Sequence, residues 1–177
     1  VHLSTDADFF DRLTAAFRTS WPKPRVIVTS FPHNPTTVTV DQSFFERLVE
    51  AAHRNDVMLV HDFAYADLTF DGYQAPSIMQ AKGAKEVAVE FFSLSKSYSM
   101  AGWRVGYCCG NAEMIRGLTT IKGYYDYGMF QAIQVAAIVA LRHGDAAVED
   151  QAAVYQRRRD TLVRRLARYG WEIPLPK

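Results

Sequence analysis

Apolar residues recur at helical spacing in several segments of the chain, and short apolar runs separate these segments. Thr5 or Asp6 is available as the N-cap of the first helical segment. The second helical segment has a predicted inner face that consists of Phe44, Phe45, Leu48, Val49 and Ala52. The spacing predicts helices over about 6–18, 41–54, 111–122, 129–142 and 145–169, with a helical turn over 76–80.

The apolar runs between these helices are short and rich in β-branched and aromatic residues, as is typical of β-strands. They predict strands over residues 25–30, 57–62, 87–92 and 104–109. The second run is almost continuously apolar up to Asp62, which is typical of a parallel strand covered on both faces. Because strands alternate with helices, the sequence predicts the α/β class, with a mostly parallel sheet flanked by helices.

Composition and charge argue against several classes of partner and site. The 177 residues suffice for one ordinary domain, and the net charge of +1 gives no electrostatic case for nucleic acid or an acidic membrane as a partner. No apolar run approaches the ~20 residues of a membrane span and no signal peptide is recognisable, so we expect a cytoplasmic protein. Cys108 and Cys109 are strand neighbours that point to opposite faces, so we expect core residues without a mutual disulfide or a shared metal.

A lysine follows the third predicted strand. Lys96 lies in a serine-rich stretch that we expect to form a loop at the carboxyl end of the strand over 87–92, the edge where open parallel sheets bind ligands. The hydroxyl of Ser93 and the planar guanidinium of Arg104 suit a phosphate group. A lysine beside a phosphate site predicts a bound phosphorylated aldehyde.

Two other interpretations of this stretch stay open. The first is a solvated lysine in a serine-rich turn. The second is suggested by Ser93-Leu94-Ser95-Lys96, which matches the Ser-x-x-Lys signature of penicillin-binding proteins and β-lactamases and would make Ser93 a nucleophile. The Ser-Asp-Asn and Lys-Thr-Gly motifs that accompany this signature are absent from the sequence.

Polar side chains also follow the two earlier strands. Asp62 ends the strand over 57–62, and Tyr65 lies three residues further on, so a turn can aim both side chains at one place. Asn34 lies in a loop with two prolines after the first strand. Taken singly, Asp62 and Asn34 would be interpreted as turn residues and Tyr65 as a core residue.

The stretch Ser-Leu-Ser-Lys-Ser-Tyr-Ser-Met-Ala-Gly-Trp-Arg-Val-Gly at 93–106 resembles the Schiff-base lysine motif of fold-type I pyridoxal-phosphate enzymes, in particular class I/II aminotransferases. Asn34-Pro35-Thr36 and Asp62-Phe63-Ala64-Tyr65 resemble the Asn-Pro-Thr and Asp-x-x-Tyr motifs of the same family, and the order is the same. Bacterial glutamate-pyruvate (alanine) aminotransferases and LL-diaminopimelate aminotransferases are most similar. The resemblance covers about residues 8–171.

The resemblance implies pyridoxal 5′-phosphate as the cofactor and gives each motif residue a role. Lys96 would hold the cofactor as a Schiff base, and Asp62 would pair with the protonated ring nitrogen. Tyr65 and Asn34 would bond the 3-oxygen of the ring. Lys96, Asp62 and Tyr65 are therefore the expected catalytic residues. Because apolar residues flank Asp62, we expect its carboxylate to be shielded from water.

The same resemblance assigns the cofactor phosphate to Ser93 and Arg104. One departure from the family pattern is Thr37, where many relatives have glycine; it affects the freedom of the backbone in the turn more than the chemistry. The tyrosines at 124, 125 and 127 are expected near the site entrance or a dimer interface, without an assigned role.

The resemblance also implies a domain division. Residues 1–144 would be part of the cofactor-binding large domain, and residues 145–177 would be the interdomain helix and the start of the small domain. The chain reads as a piece of a longer polypeptide, since the glycine-containing phosphate loop and the ring-stacking aromatic are expected before Val1. The arginine that grips the substrate carboxylate is expected after Lys177. We expect a solvated face for the arginines of the last helix, which are Arg157, Arg158, Arg159, Arg164, Arg165 and Arg168.

The implied activity is transamination by a homodimer. The amino group would move between an amino acid, with alanine or glutamate preferred, and a 2-oxo acid. Two alternatives stay open: an LL-diaminopimelate aminotransferase, and a truncated domain of the same fold without turnover.

Overall fold

The computed structural model describes residues 8–177, and its centre is a four-stranded sheet. The strands are β1 (Val26–Ser30), β2 (Met58–Asp62), β3 (Ala88–Ser93) and β4 (Gly106–Gly110), in that order across the sheet. β1, β2 and β3 are parallel, whereas β4 runs antiparallel to β3. The predicted α/β class with a mostly parallel sheet is therefore confirmed.

Helices precede, connect and follow the strands. They are α1 (Asp8–Thr19), α2 (Gln42–Asn55), α3 (Ala84–Val87), α4 (Leu94–Ser97), α5 (Ala112–Tyr125), α6 (Gln131–His143) and α7 (Asp145–Ala167), with 3₁₀ turns at Ile78–Gln80 and Ala101–Trp103. Each predicted helix is present, with ends that differ by a few residues. The predicted start of the first helix, with Thr5 or Asp6 as its N-cap, lies outside the described residues.

The main core lies between one face of the sheet and the helices α1 and α2. The residues predicted for the inner face of α2 are all buried, and Leu59 of β2 is fully buried in the same cluster. The helix begins after Asp41, whose carboxylate accepts a hydrogen bond from the amide of Phe44 at 2.9 Å. Burying one such side chain contributes about 1.5–3 kcal/mol, so the apolar face of α2 holds the helix firmly on the sheet.

The opposite face of the sheet is open at β1 and β2. Val28 and Met58 are 71% and 44% exposed, although Leu59, the neighbour of Met58, is fully buried. Successive residues of a strand point to opposite faces, so α2 covers one face of β2 while the described chain leaves the other accessible. The prediction that β2 is covered on both faces is therefore wrong for this chain.

β3 continues directly into α4, a single helical turn that contains Lys96. The serine-rich sequence predicts a loop at this position. The difference has a local cause, since the hydroxyl of Ser93 accepts a hydrogen bond from the amide of Ser95 at 3.2 Å and caps the turn. Leu94 then packs with Val105 and with residues of α6 in a second, smaller core cluster.

The arginine-rich helix α7 contacts the body of the chain through one of its arginines. Arg159 is buried, and its guanidinium donates a hydrogen bond to the carboxylate of Asp71 at 2.7 Å and lies 4.8 Å from the ring centroid of Phe70. The other arginines of the predicted solvated face are exposed, namely Arg157, Arg158, Arg164, Arg165 and Arg168. The prediction is therefore confirmed for these but wrong for Arg159, because the distant turn around Asp71 reaches α7 and covers it.

Both cysteines of β4 are free, and they are less buried than the sequence predicts. Cys108 is half-buried and Cys109 is exposed, because β4 is the outermost strand of the described sheet. Partial desolvation raises the pKa of both thiols, which favours the protonated form at neutral pH. Within residues 8–177, no helix is long and apolar enough to cross a membrane, and no cluster of three metal-ligating side chains occurs.

The contact between Arg159 and Asp71 should contribute to the thermal stability of the protein. We expect Arg159→Met to lower the melting temperature of the full-length protein, because α7 loses the guanidinium contacts to Asp71 and keeps the hydrogen bond from Gln156 to that carboxylate. Arg157→Met, at an exposed position of the same helix, is the matched control and should leave the melting temperature unchanged. Equal melting temperatures of the two variants in neutral buffer would contradict this account.

The same contact has a predictable pH dependence. The hydrogen bond from Arg159 lowers the pKa of the Asp71 carboxyl. A lowered carboxyl pKa contributes stability above the unfolded-state value of ~3.9, and this contribution is lost as the pH falls through the folded-state pKa. The difference in melting temperature between Arg159→Met and the wild type should therefore shrink in strongly acidic buffer.

Candidate active site

The residues predicted to contact a cofactor all lie at one edge of the sheet. β1, β2 and β3 end there, at Ser30, Asp62 and Ser93, and the antiparallel β4 begins there. Ser30 pairs with Asp62, so β1 and β2 end level with each other. Asp62 pairs with Phe91, and β3 continues for two more residues to Ser93, which pairs with Gly106 at the start of β4. The predicted residues at or next to these ends are Asn34, Asp62, Tyr65, Ser93, Lys96 and Arg104.

A hydrogen bond joins the amide of Asn34 and the phenol of Tyr65. Asn34 Nδ2 donates to the Tyr65 hydroxyl at 3.0 Å, and the Nζ of Lys96 lies 5.9 Å from the centroid of the Tyr65 ring. The structure thus brings together side chains that follow three different strands. Because the Tyr65 oxygen accepts from Asn34, the phenol proton stays available for another acceptor. Asn34 and Lys96 are exposed, so a ligand can reach their polar atoms.

Backbone hydrogen bonds within the loop shape the segment that carries Asn34. The amide of Thr37 donates to the carbonyl of His33 at 2.7 Å, and the amide of His33 donates to the carbonyl of Val38 at 3.0 Å. Thr37 has a φ of 59°, in the left-handed region that favours glycine. The departure from the family pattern that the sequence shows at Thr37 therefore falls on a residue with a constrained backbone.

Asp62 ends β2 and is exposed. Its Oδ1 accepts a hydrogen bond from the amide of Ala64 at 3.1 Å, which forms the turn towards Tyr65. The prediction that its carboxylate is shielded from water is wrong for this chain. The physical reason is the alternation along β2: His61 points to the core and is fully buried, so Asp62 points to the open face of the sheet.

Ser93 ends β3, and Arg104 lies two residues before the start of β4 at the same edge of the sheet. Ser93 is half-buried, and its hydroxyl oxygen already accepts the hydrogen bond that caps α4. Arg104 is exposed, and its guanidinium donates a hydrogen bond to the carbonyl of Ala101 at 3.0 Å. The predicted strand over 104–109 begins only at Gly106, because Arg104 has a φ of 52° and ends the preceding 3₁₀ turn. A serine hydroxyl and a guanidinium at adjacent strand ends can both donate to one anion.

Tyr98 connects the lysine turn to the start of α7. A Cβ added at Gly144 would lie 2.8 Å from the Tyr98 ring, so this close approach requires the glycine. Partial burial, with the nearby carboxylates of Asp67 and Asp145, raises the pKa of the Tyr98 phenol and keeps it protonated at neutral pH. The contact fixes the end of α4 against the joint between α6 and α7.

A polar pair that is not among the residues predicted from the sequence lies in the core beneath this edge. His61 and Glu90 are fully buried, and His61 Nδ1 lies 2.8 Å from Glu90 Oε1. Each residue interrupts an otherwise apolar strand. Two polar interruptions in neighbouring buried strands are the signal that could have indicated this pair.

The side chains at the edge match the groups of pyridoxal phosphate. A carboxylate suits a protonated ring nitrogen, a donor pair suits an anionic ring oxygen, and a primary amine suits an aldehyde. The serine and the arginine at the end of β3 and the start of β4 suit the phosphate. The donor set therefore fits this cofactor.

Comparison with known proteins gives matches along almost the whole chain. The sequence profile of the family described as "Aminotransferase class I and II" matches residues 4–177. The chain is similar to the glutamate-pyruvate aminotransferase AlaC of Escherichia coli, with 52% identity over all of this chain and 43% of that protein. It is also similar to an LL-diaminopimelate aminotransferase of Nitratidesulfovibrio vulgaris, with 42% identity over all of this chain and 46% of that protein.

Solved structures show the same relationship in three dimensions. An aminotransferase from Staphylococcus aureus superposes with a TM-score of 0.83 at 36% identity, over 98% of this chain and 43% of that one. An aromatic aminotransferase from Pyrococcus horikoshii gives a TM-score of 0.85 at 26% identity, over 95% and 44% of the two chains. The chain thus spans less than half the length of the proteins it matches. On these grounds the chain belongs to the class I and II aminotransferases, a family of pyridoxal-phosphate-dependent enzymes.

Proposed function

We propose that the full-length protein containing this chain is a pyridoxal-phosphate-dependent aminotransferase that moves an amino group between alanine or glutamate and a 2-oxo acid. The observation that carries the proposal is the convergence of the Asn34 amide, the Tyr65 hydroxyl and the Lys96 amine at the carboxyl edge of the sheet. The 52% identity to a glutamate-pyruvate aminotransferase supports this choice of substrates.

Lys96 is the proposed catalytic base and cofactor anchor. Pyridoxal phosphate, when bound, supplies an aldehyde for amine exchange and a ring that accepts electrons. The amine of Lys96, in its neutral form, would then take a proton from the α-carbon of the amino acid. It would deliver this proton to the 4′-carbon of the cofactor. A base positioned in this way typically contributes about 10²–10⁴-fold to the rate.

The remaining residues would orient the cofactor and fix its charge. The Asp62 carboxylate would hold a proton on the ring nitrogen. Tyr65 would donate its free phenol proton to the 3-oxygen of the ring, and Asn34 would donate the second proton of its amide to the same oxygen. Ser93 and Arg104 would donate to the phosphate.

A second candidate reaction uses LL-diaminopimelate as the amino donor. The 42% identity to an LL-diaminopimelate aminotransferase favours it as the alternative. Both reactions would use the same residues at the strand ends, so the choice depends on the part of the site that contacts the substrate side chain.

We extend the proposal to the organisation of the protein. Residues 8–144 would form part of the large, cofactor-binding domain, as the sequence predicts for 1–144, and residues 145–177 would hold the interdomain helix and the start of a small domain. The full-length protein would be a cytoplasmic homodimer. The exposed aromatic residues at and after the end of α5 support an interface, since Tyr124, Tyr125 and Tyr127 are 86%, 88% and 93% exposed.

For Lys96 we expect covalent attachment of the cofactor. Borohydride reduction of the full-length protein with bound pyridoxal phosphate, followed by peptide mass mapping, should find the label on Lys96. Lys96→Ala should keep cofactor binding through the ring and phosphate contacts but lose the label and nearly all turnover. Lys82→Ala, which removes an exposed lysine of the same chain, is the matched control. Label on Lys82, Lys85 or Lys122 would disprove the assignment.

For Asp62→Asn we expect the fold to persist and the turnover number to fall by at least a hundredfold, because a neutral amide does not hold a proton on the ring nitrogen. A hundredfold loss corresponds to ~2.7 kcal/mol of activation free energy, which is within the range expected for a lost charge pair. Asp67→Asn, which changes an exposed carboxylate of the same turn region, should retain normal turnover. Near-normal turnover of Asp62→Asn would show that Asp62 is only a turn residue.

The substrate proposal is tested by measuring kcat/KM of the full-length protein with saturating cofactor and 2-oxoglutarate. We expect alanine to exceed LL-diaminopimelate as amino donor by at least tenfold, or ~1.4 kcal/mol of transition-state stabilisation. The reverse preference would favour the second candidate. Cofactor binding without turnover of either donor would instead support the interpretation as a domain without activity.

A further inference from the structure

The buried pair of His61 and Glu90 has a complete set of hydrogen bonds. Glu90 Oε1 accepts from His61 Nδ1 at 2.8 Å and from the amide of Ile78 at 2.9 Å, while Oε2 accepts from the hydroxyl of Ser77 at 2.5 Å. The Nε2 of His61 accepts from the amide of Phe31 at 3.3 Å. The carboxylate thus has three donors although it is fully buried.

The hydrogen bonds fix the tautomer of His61. A backbone amide only donates, so Nε2 is the acceptor and Nδ1 carries the proton that is donated to Glu90. The aromatic rings of Phe45 and Phe63 lie 4.8 and 5.0 Å from the imidazole centroid and hold its plane. The histidine therefore acts as a rigid link between an acceptor on β3 and a donor at the end of β1.

The link connects the three parallel strands just before the candidate site. His61 is the residue before Asp62 on β2, and Glu90 lies on β3, which leads into Lys96. Phe31 directly follows β1 and begins the loop that carries Asn34. One polar chain beneath the sheet therefore contacts each of the backbone segments that present the candidate cofactor residues above it.

The loop over 31–38 can move only as a unit, because its internal hydrogen bonds join His33 to Thr37 and Val38. Its first residue is held in two ways: the Phe31 ring is buried against Phe44, and the Phe31 amide donates to the imidazole. Ring packing without the hydrogen bond tolerates small shifts along the surface of the core, whereas a hydrogen bond is directional. The imidazole is thus the part of the contact that fixes the position of the loop.

A buried carboxylate bonded to a neutral imidazole is not an efficient way to stabilise a fold, because burial removes the charge from water and apolar residues of similar volume often do as well. A fully bonded polar network does, however, select one arrangement of the groups it joins. The pair lies directly below the strand ends, and this position matches a role in selecting one arrangement of the segments that it joins.

We propose that His61 is a positioning residue for the cofactor site: through the Phe31 amide it sets the place of Asn34 relative to Tyr65. The inference rests on the proposed function, since it concerns the same cofactor. The Asn34–Tyr65 hydrogen bond of 3.0 Å spans two loops, and a shift of either loop would lengthen it.

The test uses two substitutions that each remove one half of the link. The amide of asparagine reaches about as far as imidazole Nδ1, so His61→Asn can donate to Glu90 but leaves the Phe31 amide unpaired. Glutamine reaches about as far as Nε2, so His61→Gln can accept from Phe31 while Glu90 keeps its donors Ser77 and Ile78. Asn111→Ala, which removes the cap of α5 at the opposite edge of the sheet, is a destabilising control.

The measurement is the affinity of the full-length apoprotein for pyridoxine 5′-phosphate by titration calorimetry, together with the melting temperature of each variant. This compound lacks the aldehyde, so its affinity reports the contacts of the ring and the phosphate and not the bond to Lys96. Because the unpaired Phe31 amide no longer holds the loop that carries Asn34, we expect His61→Asn to bind at least tenfold more weakly, or ~1.4 kcal/mol. His61→Gln should stay within about threefold of the wild type, and Asn111→Ala should melt earlier with unchanged affinity.

Affinity losses that simply follow the losses in melting temperature across the three variants would overturn the inference and leave the pair as a structural feature. Wild-type affinity in His61→Asn would overturn it directly. If His61→Asn does not fold, His61→Gln decides alone, since a tenfold loss with the Phe31 bond preserved contradicts the positioning role and retained affinity supports it. Absence of binding by the wild type would overturn the proposed function, and this inference with it.

Discussion

The parallel pairing of β1, β2 and β3 is the constraint on which the candidate site depends. The register places Ser30 beside Asp62, and Asp62 beside Phe91, so β1 and β2 stop at the same height and β3 continues for two more residues to Ser93. The polar residues that follow then need only short turns to meet, and the hydrogen bond between Asn34 and Tyr65 is the result. A slip of one residue in any strand would turn its site residues to the wrong face and expose core side chains such as Leu59.

The two faces of the sheet differ in how far the described chain covers them. The covered face holds α2, the aromatic cluster around Phe44 and the buried pair of His61 and Glu90, which together fix the strands. The other face carries Asp62, and its openness leaves the carboxylate free to meet a cationic group that is not part of this chain. Rigidity on one face and access on the other follow from the alternation of side chains along β2.

Much of the fold could be predicted from the sequence because its periodic segments are long. The inner face of α2 and the placement of polar residues after the strands depend on local spacing alone, and both are found. The errors concern contacts between distant segments. The burial of Arg159 requires the turn at Asp71, and the partial exposure of β2 depends on which elements cover it; neither is encoded in the segment itself. Likewise, the pairing of His61 with Glu90 depends on the register of two strands.

Thr37 shows how the site tolerates a locally unfavourable residue. A β-branched residue at a φ of 59° costs on the order of 1–3 kcal/mol, and such a conformation persists only where the surroundings over-determine it. Here the Thr37 amide donates to the carbonyl of His33, and the Thr37 hydroxyl lies 2.6 Å from the carbonyl oxygen of Thr36. The strain lies three residues from Asn34, in the loop whose first residue is anchored to His61. The internal hydrogen bonds and the anchor at Phe31 therefore hold the loop in one shape despite the strain, so that Asn34 can meet a partner that follows another strand.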